Sequence, residues 1–230
     1  MLGPVVIVVS GLALAMPAAH SEQPAVRTLP AREVFPGGDG ASAATLDTPL
    51  PALVQSWQET TKKRAFRKKI IVHKARRRLD VFADETLLKS YIVNLGLAPE
   101  GDKNRQGDMR TPEGDLFICS MSRVSRFTRF LNLAYPTPRS ARAGVESGRV
   151  NARVEEDVLG AFRQRNRCPP QNTPLGGAVG IHGSGGWESR PGGYVVTDWT
   201  WGCVGLRDSD ILELFDGYAE VGLQVQIEAD

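Results

Sequence analysis

The stretch KKIIVHKARRRLDVFADETLLKSYIVNLG, residues 68–96, leaves the least choice about fold. Its apolar and polar residues alternate in short β-rich runs, a period that puts one face of a strand on a core and the other toward solvent. Two or three strands are expected here, with the turn ADET, residues 83–86, between the second and third. LFICSM, residues 116–121, reads as another strand, and LQVQIEA alternates Leu223, Val225 and Ile227 as a final strand with one buried face. Between these runs glycine (24) and proline (15) interrupt the chain so often that a mostly β fold with a few helices follows. Helical spacing is confined to ALVQSWQETTKKRAF, to Glu146–Asn166 and to RDSDILELFDGY, the last with Asp208 or Ser209 expected at its N-cap.

The N-terminus is of another kind. An apolar run from Val5 to Met16 is too short to span a membrane comfortably, and small residues follow at Ala18 and Ala19. Residues 1–20 therefore read as an export signal, which leaves no stable membrane span after cleavage. Residues 21–51, rich in Ala, Pro, Gly and Thr without a hydrophobic period, read as a linker. Residues 52–67 form a helical and basic segment, and the main domain occupies 68–228.

The net charge of +2 over 230 residues gives no reason to expect a nucleic-acid partner. The run Lys62–Arg78 nevertheless holds ten Lys or Arg and no acid. Such a run is read first as a solvated face, and second as a surface for an anionic polymer or membrane. Export implies oxidising surroundings, where cysteines pair. With three cysteines, Cys119, Cys168 and Cys203, at least one is left over. Cys119 fits the core of its apolar strand and Cys168 a loop beside Pro169 and Pro170; a bond between them stays open, since sequence does not give their separation. His73, in the basic run, reads as an ordinary surface residue.

Cys203 is the thiol with a use. It lies in TWGCVG, between Gly202 and Gly205, downstream of His182 in GIHG. A thiol attacks carbonyls as thiolate, and its ordinary pKa of about 8.5 leaves few per cent ionised at neutral pH. An imidazole can take that proton and later hand it to a leaving amine. Flanking glycines let the chain turn sharply and bring amide N–H groups to the reacting oxygen. No metal-ligand spacing and no cofactor motif is found.

The order of three motifs is more specific than the pair alone. Gly107, Thr111, Pro112, Gly114 and Phe117 in the first, His182 and Gly183 in the second, and Thr200, Gly202 and Cys203 in the third resemble the L,D-transpeptidase catalytic domain, also called the YkuD domain, over roughly residues 68–228. The resemblance implies a mostly β sandwich and a cysteine enzyme of bacterial peptidoglycan in the periplasm or cell envelope, needing no cofactor. Its cysteine would attack the carbonyl of the third stem-peptide residue, expel the terminal D-alanine, and pass the acyl group to an amine. Carried over residue by residue, Cys203 would be the nucleophile and His182 the base and acid. The Gly183 carbonyl would orient the imidazole, and amides near Gly202 and Cys203, in the loop with Thr200, would form the oxyanion hole.

Two positions depart from the family pattern: Gly205 stands where an Arg is common, and Trp201 where a His is frequent. Further likeness, in YPTP and DWTWGCVGL, points to a branch in which hydrolases of links between peptidoglycan and an attached protein also occur. Water as acceptor, with a peptidoglycan-linked protein as partner, is therefore the alternative to an amine, and a wall-binding module using the basic run is the third reading. Arg207 reads either as a carboxylate-binding residue or as an ion pair with Asp208 or Asp210. Trp187, Trp199 and Trp201 read as packing of the site walls or as a substrate platform.

Overall fold

A computed structural model describes residues 48–186 and 197–230. The export signal, most of the linker and Trp187 lie outside the described residues. Strands β1 (Lys68–His73), β2 (Arg78–Ala83) and β3 (Thr86–Ile92) form the expected antiparallel meander. The chain then gives β4 (Gly114–Ser122), β5 (Phe130–Leu133), β6 (Gly180–His182), β7 (Val204–Gly205) and β8 (Gln224–Glu228). Helices α1 (Leu50–Thr61), α2 (Pro138–Glu146), α3 (Ala152–Gln164) and α4 (Asp208–Gly217) complete a mostly β architecture.

The strands make one mixed sheet in the order β3-β2-β1-β8-β4-β5-β6-β7. Strand β4 serves two neighbours in turn: Gly114–Phe117 pair with β8, and Ile118–Ser122 pair with β5, with an irregularity of register at Cys119. A strand divided between neighbours in this way curls the sheet. The curl brings its two edges together. The segment following β3 meets the β7 edge, where Asn94 and Gly205 exchange backbone hydrogen bonds at 2.8 Å and the Leu97 N–H donates to Thr200 at 2.9 Å. Ile70, Val72, Leu79, Val81 and Val225, fully buried, fill the interior that the alternation marked. No helix among the described residues is long and apolar enough to cross a membrane.

Sequence spacing suggested one helix over 146–166, but the structure splits the region. Helix α2 carries a reciprocal cap, Ser140 N–H to Thr137 Oγ1 at 3.1 Å and Thr137 N–H to Ser140 Oγ at 2.8 Å. Gly148, at φ 68°, takes the chain out of the helical direction, and Asn151 restarts it by accepting from the Val154 N–H at 3.2 Å. Helix α4 starts as expected but is capped differently. Arg207 is at its N-cap without a side-chain bond, and Asp208 faces elsewhere. Strands β5 and β7 escaped the sequence reading, since four and two residues carry too little pattern.

Three expectations change in the folded chain. Cys119 and Cys168 are bonded, which ties β4 to the loop after α3; Cys119 is both core and bridge. His73 is buried, not a surface residue, because its strand crosses the sheet centre between β2 and β8. Its ring lies between Asp80 (Nε2, 3.2 Å) and both Glu228 and Asp230 (Nδ1, 3.4 and 3.3 Å). The hydrogen bond to Asp80 outweighs burial and raises its pKa. The basic run is a solvated face at Lys62, Lys63, Arg64, Arg67 and Arg76, as expected, but most of its charges are paired: Lys63, Arg67, Lys68, Lys74, Arg76, Arg77 and Arg78 pair with Asp84, Glu85, Glu220, Glu113, Asp230, Asp198 and Asp80 respectively.

Candidate active site

Strand pairing brings the histidine and cysteine segments side by side. In the parallel β6/β7 ladder Ile181 is opposite Val204 and His182 opposite Gly205, so Cys203 enters the ladder next to the strand that ends in His182. Both residues line one cleft of about 690 Å³.

The Cys203 loop is seated by backbone contact. Gly202 sits at φ 123°, a region that side-chain-bearing residues avoid, and an added Cβ would lie 2.5 Å from the Arg110 carbonyl oxygen. Gly96 passes as closely on the other side, with a Cβ position 2.1 Å from the Met109 carbonyl oxygen. Buried Thr111 accepts from the Gly96 N–H at 3.0 Å. The turn holding Gly107, Thr111, Pro112 and Gly114 is thus the support on which the Cys203 loop rests. Thr200 closes the loop from within, donating to the Cys203 carbonyl at 2.7 Å and accepting from the Gly202 N–H at 3.1 Å. Its far anchor is Asp198, which takes Arg77 in a forked pair at 2.6–3.1 Å and the Leu95 N–H at 2.9 Å.

The histidine side is held by rings and one carboxylate. His182 is 2% exposed. Its ring stacks on Phe127 at 4.2 Å and Phe130 at 5.6 Å, with Trp199 edge-on at 5.5 Å. Nδ1 lies 2.7 Å from the Gly183 carbonyl oxygen, an acceptor only, so Nδ1 carries the proton and Nε2 is the free base. Asp208 fixes the loop behind it, accepting from the Gly185 and Gly186 N–H groups at 3.0 and 2.7 Å. Burial works to raise that carboxyl, but these amides, with the Thr128 hydroxyl, outweigh it and hold it below the ordinary carboxylate range. A side chain at Gly183 would strike Asp208 at 2.3 Å, which is why glycine follows the histidine. Sequence reading took Asp208 for a helix cap; only the spatial approach of two loops shows its other use.

Cys203 and His182 both rest in their neutral forms. Burial pushes the Cys203 thiol up to about 11, against the Gly180 N–H and Lys103, which pull it down. Burial also lowers the His182 pKa, more than the bond to Gly183 raises it. At neutral pH this is a protonated thiol, 3.7 Å from the Ala178 carbonyl oxygen, and an unprotonated imidazole in the same cleft, not a preformed ion pair.

The other anticipated residues divide. Trp199 and Trp201 line the cleft, Trp201 76% exposed at its rim. Arg207 is exposed at the start of α4 and does not line the cleft. Lys103 and Arg126, which the sequence reading passed over, do. Lys103 is buried and paired with Asp108 at 2.7 Å; Arg126 stacks its guanidinium 4.7 Å from the Phe127 ring centre.

A family model described as the L,D-transpeptidase catalytic domain matches residues 67–227. No curated protein matches the chain by sequence. Similar solved structures include Bd1075 of Bdellovibrio bacteriovorus, with 19% identity, TM-score 0.44, and coverage of 73% of this chain and 50% of that one. The helical cell shape determining protein Pgp2 of Campylobacter jejuni, as a K307A mutant, has 15% identity, TM-score 0.47, and coverage of 83% and 57%. An Enterococcus faecium L,D-transpeptidase, as a C442S mutant, has 14% identity, TM-score 0.42, and coverage of 70% and 50%. The chain thus spans about half the length of these structures.

Proposed function

The chain belongs to the L,D-transpeptidase catalytic domain family, and on that premise we propose that it is an exported cysteine acyltransferase of peptidoglycan stem peptides. One observation carries the reading: His182 has its Nδ1 committed to the Gly183 carbonyl, 2.7 Å away, which leaves Nε2 as a base in the cleft that Cys203 also lines. A buried structural histidine has no need of a free nitrogen in a cleft that also holds a thiol.

The chemistry follows from the groups present. Nε2 takes the thiol proton as sulfur attacks the carbonyl carbon of the third stem residue. The resulting oxyanion is met by the Cys203 amide, since the Gly202 amide is engaged by Thr200. The carbon–nitrogen bond to the terminal D-alanine breaks, the imidazolium returns its proton to the leaving amine, and a thioester remains. An incoming amine then releases the acyl group, making a crosslink, attaching a protein or exchanging a D-amino acid.

Incubation of the protein with purified sacculi, followed by digestion and mass analysis of muropeptides, tests the proposal. With D-methionine added, the expected product is a stem carrying D-methionine in proportion to the amine. Tripeptide or a released attached protein at every amine concentration would replace transfer with hydrolysis at the same site. Unchanged muropeptides, with no adduct on Cys203, would end both readings.

A further inference from the structure

Away from the cleft, three metal-ligating side chains meet at one end of the sheet. Parallel pairing sets His73 of β1 opposite Glu228 of β8. The chain stays together beyond both strands, the Lys74 and Ala75 N–H groups donating to the Glu228 and Asp230 carbonyls at 2.9 and 3.1 Å, which delivers Asp230 to the same place. An imidazole nitrogen and one carboxylate oxygen from each acid then lie within 4.8 Å of one another. None of the three residues lines the cleft that holds Cys203. The set has no sequence spacing, because its members come from opposite ends of the domain.

The imidazole is oriented from behind. Asp80 lies two residues along β2 from Arg78, the register partner of His73, and so on the same face of the sheet. Its buried carboxylate stands 3.2 Å from Nε2 and is itself held by the Ser90 hydroxyl at 2.6 Å and by Arg78 at 2.9 Å. An acceptor at Nε2 places the ring proton there and turns the Nδ1 lone pair toward Glu228 and Asp230, the arrangement in which a carboxylate backs a metal-binding histidine. Three electron-rich atoms converge in front of the ring, and a cation belongs among them. A proton on Nδ1 would meet the two oxygens at 3.4 and 3.3 Å, longer than the roughly 2.7–2.9 Å of a charge-assisted bond. The same separations match the edge of a tetrahedral zinc shell, about 3.3–3.6 Å for bonds of about 2.0–2.2 Å. Arg76 takes the other oxygen of Asp230 at 3.5 Å and leaves Oδ1 to the site, while Glu228 pairs with no cation but His73 among the described residues.

We infer that His73 Nδ1, Glu228 and Asp230 bind one divalent transition-metal ion of the zinc class, with water completing its shell. One imidazole nitrogen beside two carboxylates favours such an ion over magnesium or calcium, which take oxygen ligands. The ion is structural: it ties the end of β8 to the turn between β1 and β2. That turn also carries Arg77, the partner of Asp198, so the ion braces the part of the sheet to which the Cys203 loop is anchored. The inference does not depend on the stem-peptide reading, because none of its ligands takes part in the acyl transfer.

The test uses the full chain, stripped of metal and carrying Cys203→Ala so that the thiol does not compete as a ligand. Zinc chloride is titrated by calorimetry in mildly alkaline buffer, and cobalt(II) by absorption spectroscopy. One zinc ion per chain is expected, with a melting temperature that rises with zinc concentration and a cobalt spectrum free of thiolate charge transfer. Magnesium and calcium should leave the melting temperature unchanged. Glu228→Gln in the same background changes a partly exposed side chain outside the core, and should weaken zinc binding by about 10-fold or more. Asp80→Asn, which disturbs only the orientation of the ring, should weaken it by about 10- to 100-fold; if that variant does not fold, Glu228→Gln decides alone. No heat of zinc binding overturns the inference. So does zinc affinity that Glu228→Gln leaves unchanged, since the ion then sits elsewhere, and so does calcium binding as tight as zinc, since the imidazole is then no ligand.

Discussion

The loop that carries Cys203 and the loop that carries His182 are both glycine-rich, yet different forces hold them. Around Cys203 the glycines permit backbone to lie on backbone, Gly202 on Arg110 and Gly96 on Met109, and an ion pair from the β1–β2 turn locks the far end. Around His182 the work is done by side chains: three aromatic rings, one carboxylate, and a carbonyl that selects the tautomer. The thiol is thus placed by the fold as a whole and the imidazole by its immediate neighbours. Global stability and local positioning are therefore separable at this site, and substitutions can distinguish them.

Removing the reacting groups gives the largest effects. Cys203→Ala is expected to abolish acylation and turnover with the melting temperature kept, since Cys203 belongs to neither hydrophobic core cluster. His182→Gln keeps a polar side chain but no base, and should lower kcat by about 10²- to 10⁴-fold. The residual rate should rise with pH as thiolate forms unaided. Because burial pushes the Cys203 thiol up to about 11, alkylation by iodoacetamide in wild type should climb throughout the alkaline range instead of levelling near an ordinary thiol pKa. A plateau reached already in acid would mean a preformed thiolate–imidazolium pair. The lowered His182 pKa gives the opposite edge: the base stays unprotonated further into mild acid, so the acid limb of kcat/KM should fall below the ordinary imidazole range.

The two anchors come next and test the comparison directly. Asp198→Asn leaves Arg77 without its counter-charge between distant parts of the chain. It should cost roughly 1–3 kcal/mol of stability, measured by denaturant unfolding. Asp208→Asn weakens a hold on two amides behind His182. It should leave unfolding nearly unchanged and lower kcat about 10- to 100-fold, the scale of a small misplacement of a catalytic group. Equal losses of stability in both variants would dissolve the distinction between global and local placement.

This asymmetry also governs what could be read from the sequence. The meander, β4 and β8 were legible because alternation over five or more residues records which face is buried, and the paired motifs were legible because glycine is required wherever backbones touch. Asp198, Asp208, Arg77 and Arg126 carried no such mark. An ion pair between residues 77 and 198 has no sequence period, and Asp208 looks the same whether it caps its own helix or reaches a neighbouring loop. Cys119 shows the same limit in smaller form: its apolar strand correctly put it in the core and hid its bond to Cys168.

The smallest effect separates two tryptophans of one loop. Trp199 belongs by sequence to the nucleophile loop but packs edge-on against His182 and 6.2 Å from the Phe127 ring centre, so it couples the two loops. Trp201, two residues on, is 76% exposed and meets only the rim of the cleft. Trp199→Ala opens space beside a 2% exposed imidazole, removing an aromatic contact worth about 0.5–1.5 kcal/mol. The ring then gains freedom, so kcat should fall several-fold, with the acid limb of the pH profile moving up toward the ordinary imidazole value as water enters. Trp201→Ala removes no buried contact and should change neither the melting temperature nor that limb. Its effect is expected in KM for the stem peptide, by about threefold or less, as befits an exposed contact at the edge of a binding site. If Trp201→Ala instead lowers kcat as much as Trp199→Ala, the rim takes part in positioning the base, and the His182 side is not the local device described above.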